Sequence, residues 1–277
     1  MSRLVWDATG EHFYETGVKN GVLYPYDSTN AARPYGPGVA WNGLTSVSET
    51  PSGGDENKIY ADNLKYLSLR GLEEFGATIE AYTYPDEWAE CDGSKTPVTG
   101  LSIGQQARKM FGFSFRTEVG NDIVGDAYGY KLHLIYGATA SPSERSYETI
   151  NDSPEAITFS WEVSTTSVAI GNIGGVDYRP TSCLIVDATK FINNGVKDAK
   201  LIALENALYG VDAEAFDSTK AYAKGDYCTH TDNNVTKTYQ AKAAITAGNW
   251  DATKWDEVDA GPYLPMPADV VTMLTPA

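Results

Sequence analysis

A run of nine residues with strictly alternating side chains constrains the fold of this chain more than any other feature. Apolar side chains occupy every second position of residues 157–163, and polar side chains lie between and beside them: Ile157, Phe159, Trp161 and Val163 against Thr158, Ser160, Glu162 and Ser164. This period of two is typical of a β-strand with one buried and one solvated face. Because parallel sheets are usually buried on both faces, the pattern predicts an antiparallel sheet.

Five further segments predict strands, and one predicts a helix. The strand segments are residues 39–47, 77–84, 110–119, 128–136 and 183–187. The helix covers residues 199–209, where Asp198 is placed to cap the first turn and Gly210 follows the last. Since strands and helices do not alternate along the chain, we expect a mainly β fold. It would be an antiparallel β-sandwich or barrel with one flanking helix.

Charge and length exclude several classes of protein. The chain has 277 residues, with 21 Lys+Arg against 37 Asp+Glu, and a formal net charge of −16. A protein that grips nucleic acid through its phosphates needs a basic surface, so this composition argues against that function. The start of the sequence has no signal-peptide pattern, and no apolar run has the length of a membrane span. Three widely spaced cysteines predict reduced thiols, because a disulfide framework needs an even number.

Motifs for catalysis or metal binding are missing from the sequence. Its three histidines, His12, His133 and His230, are far apart, and none has metal-ligand spacing to a cysteine. An acidic glycosidase would need two carboxylates on opposite sides of a substrate. The acidic pairs at residues 73–74 and 86–87 are adjacent in sequence, which is typical of solvated turn charges. We therefore predict a protein that is not an enzyme and that needs no metal or cofactor.

Two acidic residues in the middle of predicted strands leave two interpretations open. Glu80 and Glu162 each occupy a polar position in a strand, where a lone carboxylate is disfavoured unless its face is wet. One interpretation is a polar sheet surface that lines a channel. The other is the ordinary outer face of a sheet, and spacing alone does not separate the two.

An ordered series of segments resembles one family, the major tail tube proteins of long-tailed, non-contractile bacteriophages. The matching stretches are residues 14–18, 21–25, 35–54, 60–63, 74–87, 103–106, 111–113, 120–122, 129–134 and 150–156. Together they span about residues 1–210 and the end of the chain from residue 262.

The resemblance implies a fold, an assembly and a set of partners. In that family packed antiparallel sheets carry a flanking helix and a long loop, and six subunits join strands into a ring. Rings stack into a tube in the virion tail, which is synthesised and assembled in the cytoplasm of the bacterial host. Partners would be further copies of the chain, the tape-measure protein, the tail terminator and the distal tail or baseplate proteins. Double-stranded DNA would pass through the lumen during ejection without specific binding, and no membrane would be contacted.

Two sets of site residues follow from the resemblance. Glu80 and Glu162 become candidates for the lumen wall, since an acidic wall repels phosphates and lets DNA slide. A long loop at residues 50–63 is rich in glycine and polar residues, and the family makes it a candidate for contacts between subunits, ordered on assembly. The loop candidates are Ser52, Gly53, Gly54, Asp55, Glu56 and Tyr60.

Residues 215–259 interrupt the tail-tube pattern and resemble small three-stranded carbohydrate-binding modules of the chitin-binding type. The resemblance is carried by residues 222–226 (YAKGD), residues 239–241 (YQA) and the closing Trp255. Such modules stack sugars on exposed aromatic rings, which makes Tyr222 and Trp250 candidates for glycan stacking. Tyr239 and Trp255 are expected in the core. Ala243 and Ala244 stand where the family often carries exposed aromatics, which argues against glycan binding.

The sequence therefore predicts two domains. A tail tube domain would comprise residues 1–214 and 260–277, and the module of residues 215–259 would project from the tube exterior. The alternative is a monomeric carbohydrate-binding or adhesin-like protein in which the β domain is only a scaffold.

Overall fold

A computed structural model describes residues 3–150, 152, 155–193 and 195–275; part of the resembling stretch 150–156 lies outside them. Strands dominate. They are β1 (Tyr14–Pro25), β2 (Val39–Trp41), β3 (Leu44–Glu49), β4 (Ser52–Gly53), β5 (Glu56–Ala61), β6 (Leu64–Arg70), β7 (Glu73–Glu74), β8 (Gly76–Ala81), β9 (Lys95–Val98), β10 (Leu101–Ile103), β11 (Phe111–Asn121), β12 (Gly125–Ala140), β13 (Phe159–Thr165), β14 (Gly171–Ile173), β15 (Val176–Tyr178), β16 (Cys183–Asp187), β17 (Ile192–Asn193), β18 (Val196–Lys197), β19 (Tyr227–Asp232), β20 (Val235–Ala241) and β21 (Trp255–Val258). The helices are α1 (Trp88–Cys91), α2 (Ala199–Tyr209) and α3 (Pro267–Leu274), with 3-10 turns at Ala188–Phe191 and Ala252–Lys254.

One antiparallel sheet of eight strands forms the body of the molecule. Its order is β2–β1–β11–β12–β13–β8–β3, and β16 pairs with β12 beside this path. The end strands β2 and β3 follow one another in the chain through Asn42 and Gly43, so the sheet curls until its two ends meet at this turn. No ladder joins β2 to β3 among the described residues, and the barrel is not closed. The predicted mainly β, antiparallel fold is confirmed.

Strand β12 changes partner halfway along its length. Residues 131–135 pair with β16, whereas residues 138–140 pair with β13. Gly137 lies at the change and has a φ of 60°. A Cβ atom there would lie 2.0 Å from the carbonyl oxygen of Thr166, so only glycine fits.

The sheet separates two hydrophobic cores. The inner core fills the curl with aromatic rings from several elements, among them Trp41, Trp88, Phe111, Phe113 and Trp161. The outer core lies between the other face of β1, β11 and β12 and the helices α2 and α3. It contains Tyr24, Tyr35, Leu132, Leu134, Tyr136, Leu201, Leu204, Leu208 and Val270. Strands β11 and β12 are therefore buried on both faces.

The predicted helix α2 begins and ends where the sequence indicates. The Asp198 side chain accepts a hydrogen bond from the Lys200 amide at the first turn, and Gly210 follows with a φ of 83°. The apolar segment at the end of the chain, which the sequence left unassigned, forms α3. This helix starts with Pro267, whose missing N–H suits a first turn, and it packs beside α2.

The long loop predicted at residues 50–63 is instead β-structure. Residues 64–70, which the sequence analysis did not assign, supply the strand β6 that pairs with β5. The turn between them consists of Asp62 and Asn63, which have φ values of 50° and 61°. Two consecutive residues with positive φ are typical of a tight type I′ hairpin turn. We call residues 56–70 the hairpin arm.

The predicted three-stranded module is present as the antiparallel sheet β19–β20–β21. Its own small core contains Tyr222, Cys228, Ala241 and Trp255. Arg33 of the main body forms an ion pair with Asp259 at 2.6 Å, next to the point where the chain leaves the module.

We expect Trp88→Ala to lower the free energy of unfolding by about 3–5 kcal/mol, as for other large aromatic residues removed from a core. The Trp88 side chain is fully buried, and its ring lies 4.6 Å from Trp41 and 4.9 Å from Phe111. Urea denaturation followed by circular dichroism measures the loss. Leu72→Ala is the control, since 86% of Leu72 is exposed and its truncation should change stability by less than about 0.5 kcal/mol. Equal effects of the two substitutions would contradict the core assignment.

Candidate assembly and lumen surfaces

The two acidic lumen candidates lie on one solvated face of the sheet. Glu80 on β8 is paired with Ser46 on one side and Ser160 on the other, and Ser46 Oγ donates a hydrogen bond to Glu80 Oε2 at 2.7 Å. Glu162 on β13 lies opposite Thr78, so the two carboxylates are diagonal neighbours on adjacent strands. Glu162 is exposed and Glu80 is half-buried, which fits both a lumen wall and an ordinary outer face, so the lumen position stays a prediction.

Hydroxyl and carboxylate groups make up the polar positions of this face, which we call the acidic face. Its members are Ser46, Ser48, Thr78, Glu80, Ser160, Glu162 and Ser164 on β3, β8 and β13. All three strands are fully described, and none of their residues is lysine or arginine. The face therefore offers no cation that could hold a phosphate.

The hairpin arm connects β3 to β8 and has two chemically different faces. Alternation along its register places Ile59 opposite Leu67, Asn57 opposite Leu69, and Ala61 opposite Leu64 on one face. Leu64 and Leu69 are 72% and 54% exposed. An apolar strand face left in water is a liability that usually marks a contact surface. These apolar residues were missed by the sequence analysis, because Leu64 and Leu67 are three residues apart and an irregularity at Tyr66 interrupts the alternation along β6.

On the opposite face of the arm, Glu56 is surrounded by the side chains of two lysines and a serine, which link β5 to β6. Its carboxylate accepts hydrogen bonds from Lys65 Nζ at 2.5 Å and from Ser68 Oγ, and Lys58 lies 3.6 Å away. The bonds from Lys65 and Ser68 lower the pKa of Glu56. Glu56 thus fixes the arm internally. Tyr60, another loop candidate, is exposed on β5 opposite Lys65.

The remaining loop candidates form the stem of the arm. Ser52 and Gly53 pair with Glu74 and Glu73 in the short ladder β4–β7. Gly53 has a φ of 80°, and a Cβ atom there would lie 2.3 Å from the Leu72 carbonyl oxygen. The Gly54 amide donates to that carbonyl, and the Asp55 carbonyl accepts from the Gly71 amide. Gly53 and Gly54 are therefore explained by the positive φ values of this turn.

The glycan candidates of the module both lie in its aromatic cluster. Tyr222 is only 4% exposed, and its hydroxyl accepts a hydrogen bond from the Asp217 amide, so its ring cannot serve as a stacking platform. Trp250 is half-buried, with the His230 ring parallel to it at 3.9 Å. Trp255, Phe216 and Tyr239 surround it at 5.4, 5.1 and 4.9 Å. A sugar would have to displace His230 to stack on that side of Trp250. The expectation that Trp255 belongs to the core is confirmed.

His133 occupies a polar position in the alternating segment of residues 128–136. It is buried and stacked on Phe115 at 4.5 Å, because both faces of β12 are covered. Its Nε2 atom lies 3.0 Å from Thr117 Oγ1 and 3.3 Å from Glu15, and Nδ1 lies 3.8 Å from Glu49 without a hydrogen bond in the described structure. Burial lowers the pKa of His133, although Glu15 and Glu49 oppose this shift.

No cluster of three or more metal-ligating side chains occurs in the part of the chain that the structure describes. Across the same residues, no helix has both the length and the apolar character needed to span a bilayer. Cys91, Cys183 and Cys228 carry free thiols.

We expect the stability of the protein to fall as the pH drops below the ordinary histidine value of 6.5. The folded pKa of His133 is lower than its unfolded pKa, so the unfolded chain binds this proton more strongly in that window. Thermal unfolding at pH 8.0 and 5.5 should show a smaller difference for His133→Gln than for wild type. Wild type and variant share every other titratable side chain, including His12 and His230. The change in pH dependence between the two proteins therefore reports on His133. An unchanged pH dependence in the variant would contradict this assignment.

Comparison with known proteins gives little similarity. No protein-family model matches the chain, and no curated protein matches it. Among solved structures, a chain from the "Cryo-EM structure of the anti-feeding prophage (AFP) baseplate, 6-fold symmetrised" aligns with 66% of this chain and 98% of its own length. The two share 9% sequence identity, with a TM-score of 0.31. A likeness at this score carries no inference about the function of the present chain.

Proposed function

We propose that this chain is a structural subunit of a phage tail tube of the long-tailed, non-contractile type. Copies form hexameric rings, the rings stack into the tube of the virion tail, and the chain has no catalytic role. The observation that carries this proposal is the hairpin arm, whose apolar face is exposed, with Leu64 at 72% and Leu69 at 54% exposure. The ordered resemblance of the sequence to tail tube proteins supplies the identity of the assembly.

A second copy of the chain is the partner that the arm requires. A two-stranded hairpin standing alone is marginally stable in water. The apolar side chains Ile59, Leu64, Leu67 and Leu69 are 38%, 72%, 36% and 54% exposed, so burying the area that remains in water would contribute about 0.5–2 kcal/mol each. A subunit that carries one such arm and is repeated around a ring buries every arm against a neighbour. Self-assembly therefore gives this exposed apolar face a role. Without such a role it would be unexpected, since a net charge of −16 otherwise favours a soluble monomer.

The acidic face is the wall that we assign to the lumen. Its carboxylates, Glu80 and Glu162, repel DNA phosphates, and its hydroxyl groups form hydrogen bonds with water. Six copies at −16 each give a ring a formal charge of −96. Salt limits the reach of such charges to about 10 Å, so the acidic face acts on DNA that passes close to it. DNA would therefore slide through the tube without binding.

The other partners follow from the same assignment. The tape-measure protein would fill the lumen during assembly, and the terminator and the distal tail or baseplate proteins would cap the two ends. The module of residues 215–259 would project from the outside of the tube, because a compact insertion at a surface connection leaves the ring intact.

Two substitutions on the apolar face of the arm test the proposal. Leu67→Asp combined with Leu69→Asp should raise the concentration needed for rings or tubes at least about tenfold, since burying the exposed parts of the two leucines contributes about 1.4–2.7 kcal/mol. Negative-stain microscopy and analytical ultracentrifugation measure the assembly. Val235→Asp in the module is the matched control, because Val235 and Leu69 are both 54% exposed. The control should assemble like wild type, and circular dichroism should show both variants folded.

A wild-type protein that stays monomeric at every concentration would overturn the proposal. Assembly by the Leu67/Leu69 variant at the wild-type concentration would show that the arm is not the contact surface.

The alternative function, a monomeric carbohydrate-binding protein, makes a different prediction. Because His230 covers Trp250 and Tyr222 is buried, we expect a glycan array to show no binding by wild type or by Trp250→Ala. Binding by wild type that disappears in Trp250→Ala would favour the carbohydrate-binding alternative for this module.

A further inference from the structure

A groove of about 960 Å³ lies at the base of the hairpin arm, at the end of the sheet where β8 begins. Its walls come from residues 70–73 and Phe75 on one side and from residues 179–183, which lead into β16, on the other. Arg70 and Arg179 both line it, and both also line an adjoining depression of about 480 Å³.

The two arginines give the groove an unbalanced positive charge. Both are exposed, and neither guanidinium forms an ion pair with a described residue. Glu56, which faces Arg70 across the β5–β6 ladder, already accepts hydrogen bonds from Lys65 and Ser68. Glu73 is the one carboxylate among the residues that line the groove. In a chain that is otherwise strongly acidic, this groove therefore has two arginines against one carboxylate.

Guanidinium groups bind carboxylates through paired, charge-assisted hydrogen bonds, so two of them that line one groove offer binding partners for two carboxylates. The groove is also much larger than a single carboxylate group. It therefore fits a short turn of polypeptide that presents two adjacent acidic side chains.

Such a turn lies at the other end of the same strand. Strand β8 spans six residues, about 17 Å, and the chain then reaches the exposed pair Asp86 and Glu87. The turn is rigid, because the Trp88 and Ala89 amides donate to the carbonyl oxygens of Pro85 and Asp86 at 3.0 and 3.1 Å. The fully buried Trp88 ring anchors it to the inner core. Neither carboxylate forms an ion pair within the described residues.

We propose that the groove of Arg70 and Arg179 receives the Asp86–Glu87 turn of a second copy of the chain, head to tail. This inference rests on the proposed function and assigns a pair of contact surfaces to it. A donor turn and an acceptor groove at opposite ends of one strand form a heterologous contact, which propagates from copy to copy and does not close between two. That is the contact needed to stack subunits along a tube.

Charge reversal on each side tests the pairing. Arg70→Glu with Arg179→Glu makes the groove acidic, and Asp86→Arg with Glu87→Arg makes the turn basic. Each variant alone then brings like charges together, so the sedimenting fraction should fall more than about tenfold at equal protein concentration. Lys224→Glu with Lys254→Glu in the module is the control, since it changes the net charge by the same −4 as the arginine variant. The control should sediment like wild type.

A mixture of the two charge-reversed proteins gives the decisive result. The acidic groove of one protein matches the basic turn of the other, and the basic groove of the second matches the acidic turn of the first. Equimolar mixing should therefore restore sedimentation, and the chain carrying all four substitutions should assemble alone.

The possible failures are distinct. Wild type that forms no assembly overturns the proposed function together with the pairing. Wild type that assembles while Arg70→Glu/Arg179→Glu sediments equally well overturns the pairing alone. Loss of assembly in both variants without restoration on mixing also overturns it, because the groove would then contact some other surface. Circular dichroism of each variant shows that the subunit remains folded.

Discussion

The packing of Trp88 inside the curled sheet is the interaction on which the rest of the structure depends. Its ring contacts Trp41 from β2, Phe111 from β11 and Trp161 from β13, which are otherwise distant in the sheet order. By drawing these strands around one ring, the contact bends the sheet until β2 and β3 meet at a turn. The inner face thus becomes a packed aromatic core. The proposed contact surfaces lie outside this core.

The outer face is divided into a covered half and a wet half. Helices α2 and α3 cover the outer face of β1, β11 and β12, and the side chains between them are buried. The half made by β3, β8 and β13 keeps hydroxyl groups and carboxylates in water, and the hairpin arm leaves from the connection between β3 and β8. The acidic face, the arm and the arginine groove thus belong to one side of the molecule. In the proposed assembly, each of these surfaces would have a partner or a path.

The sequence predicted an element well where its local pattern was complete. Alternation placed Glu80 and Glu162 on a wet face, and capping signals gave α2 its observed bounds. Two other features were missed for physical reasons. The burial of His133 does not follow from the alternation in residues 128–136, because a strand pattern cannot show that a second layer covers the polar side of β12. The arm was read as a loop because its polar stem, rich in glycine, concealed the register between β5 and β6.

The amino-acid sequence by itself determined the acidic charge, the antiparallel β class and the helix α2, and its resemblance to carbohydrate-binding modules implied a three-stranded sheet. The β class and α2 depend on residue spacing within one segment, which short-range backbone geometry converts directly into structure. Only the tertiary structure decided that Tyr222 is buried, that His230 covers Trp250, and that Arg70 and Arg179 share a groove. Those outcomes depend on which distant segment packs against a given side chain, and residue spacing within one segment does not contain that information.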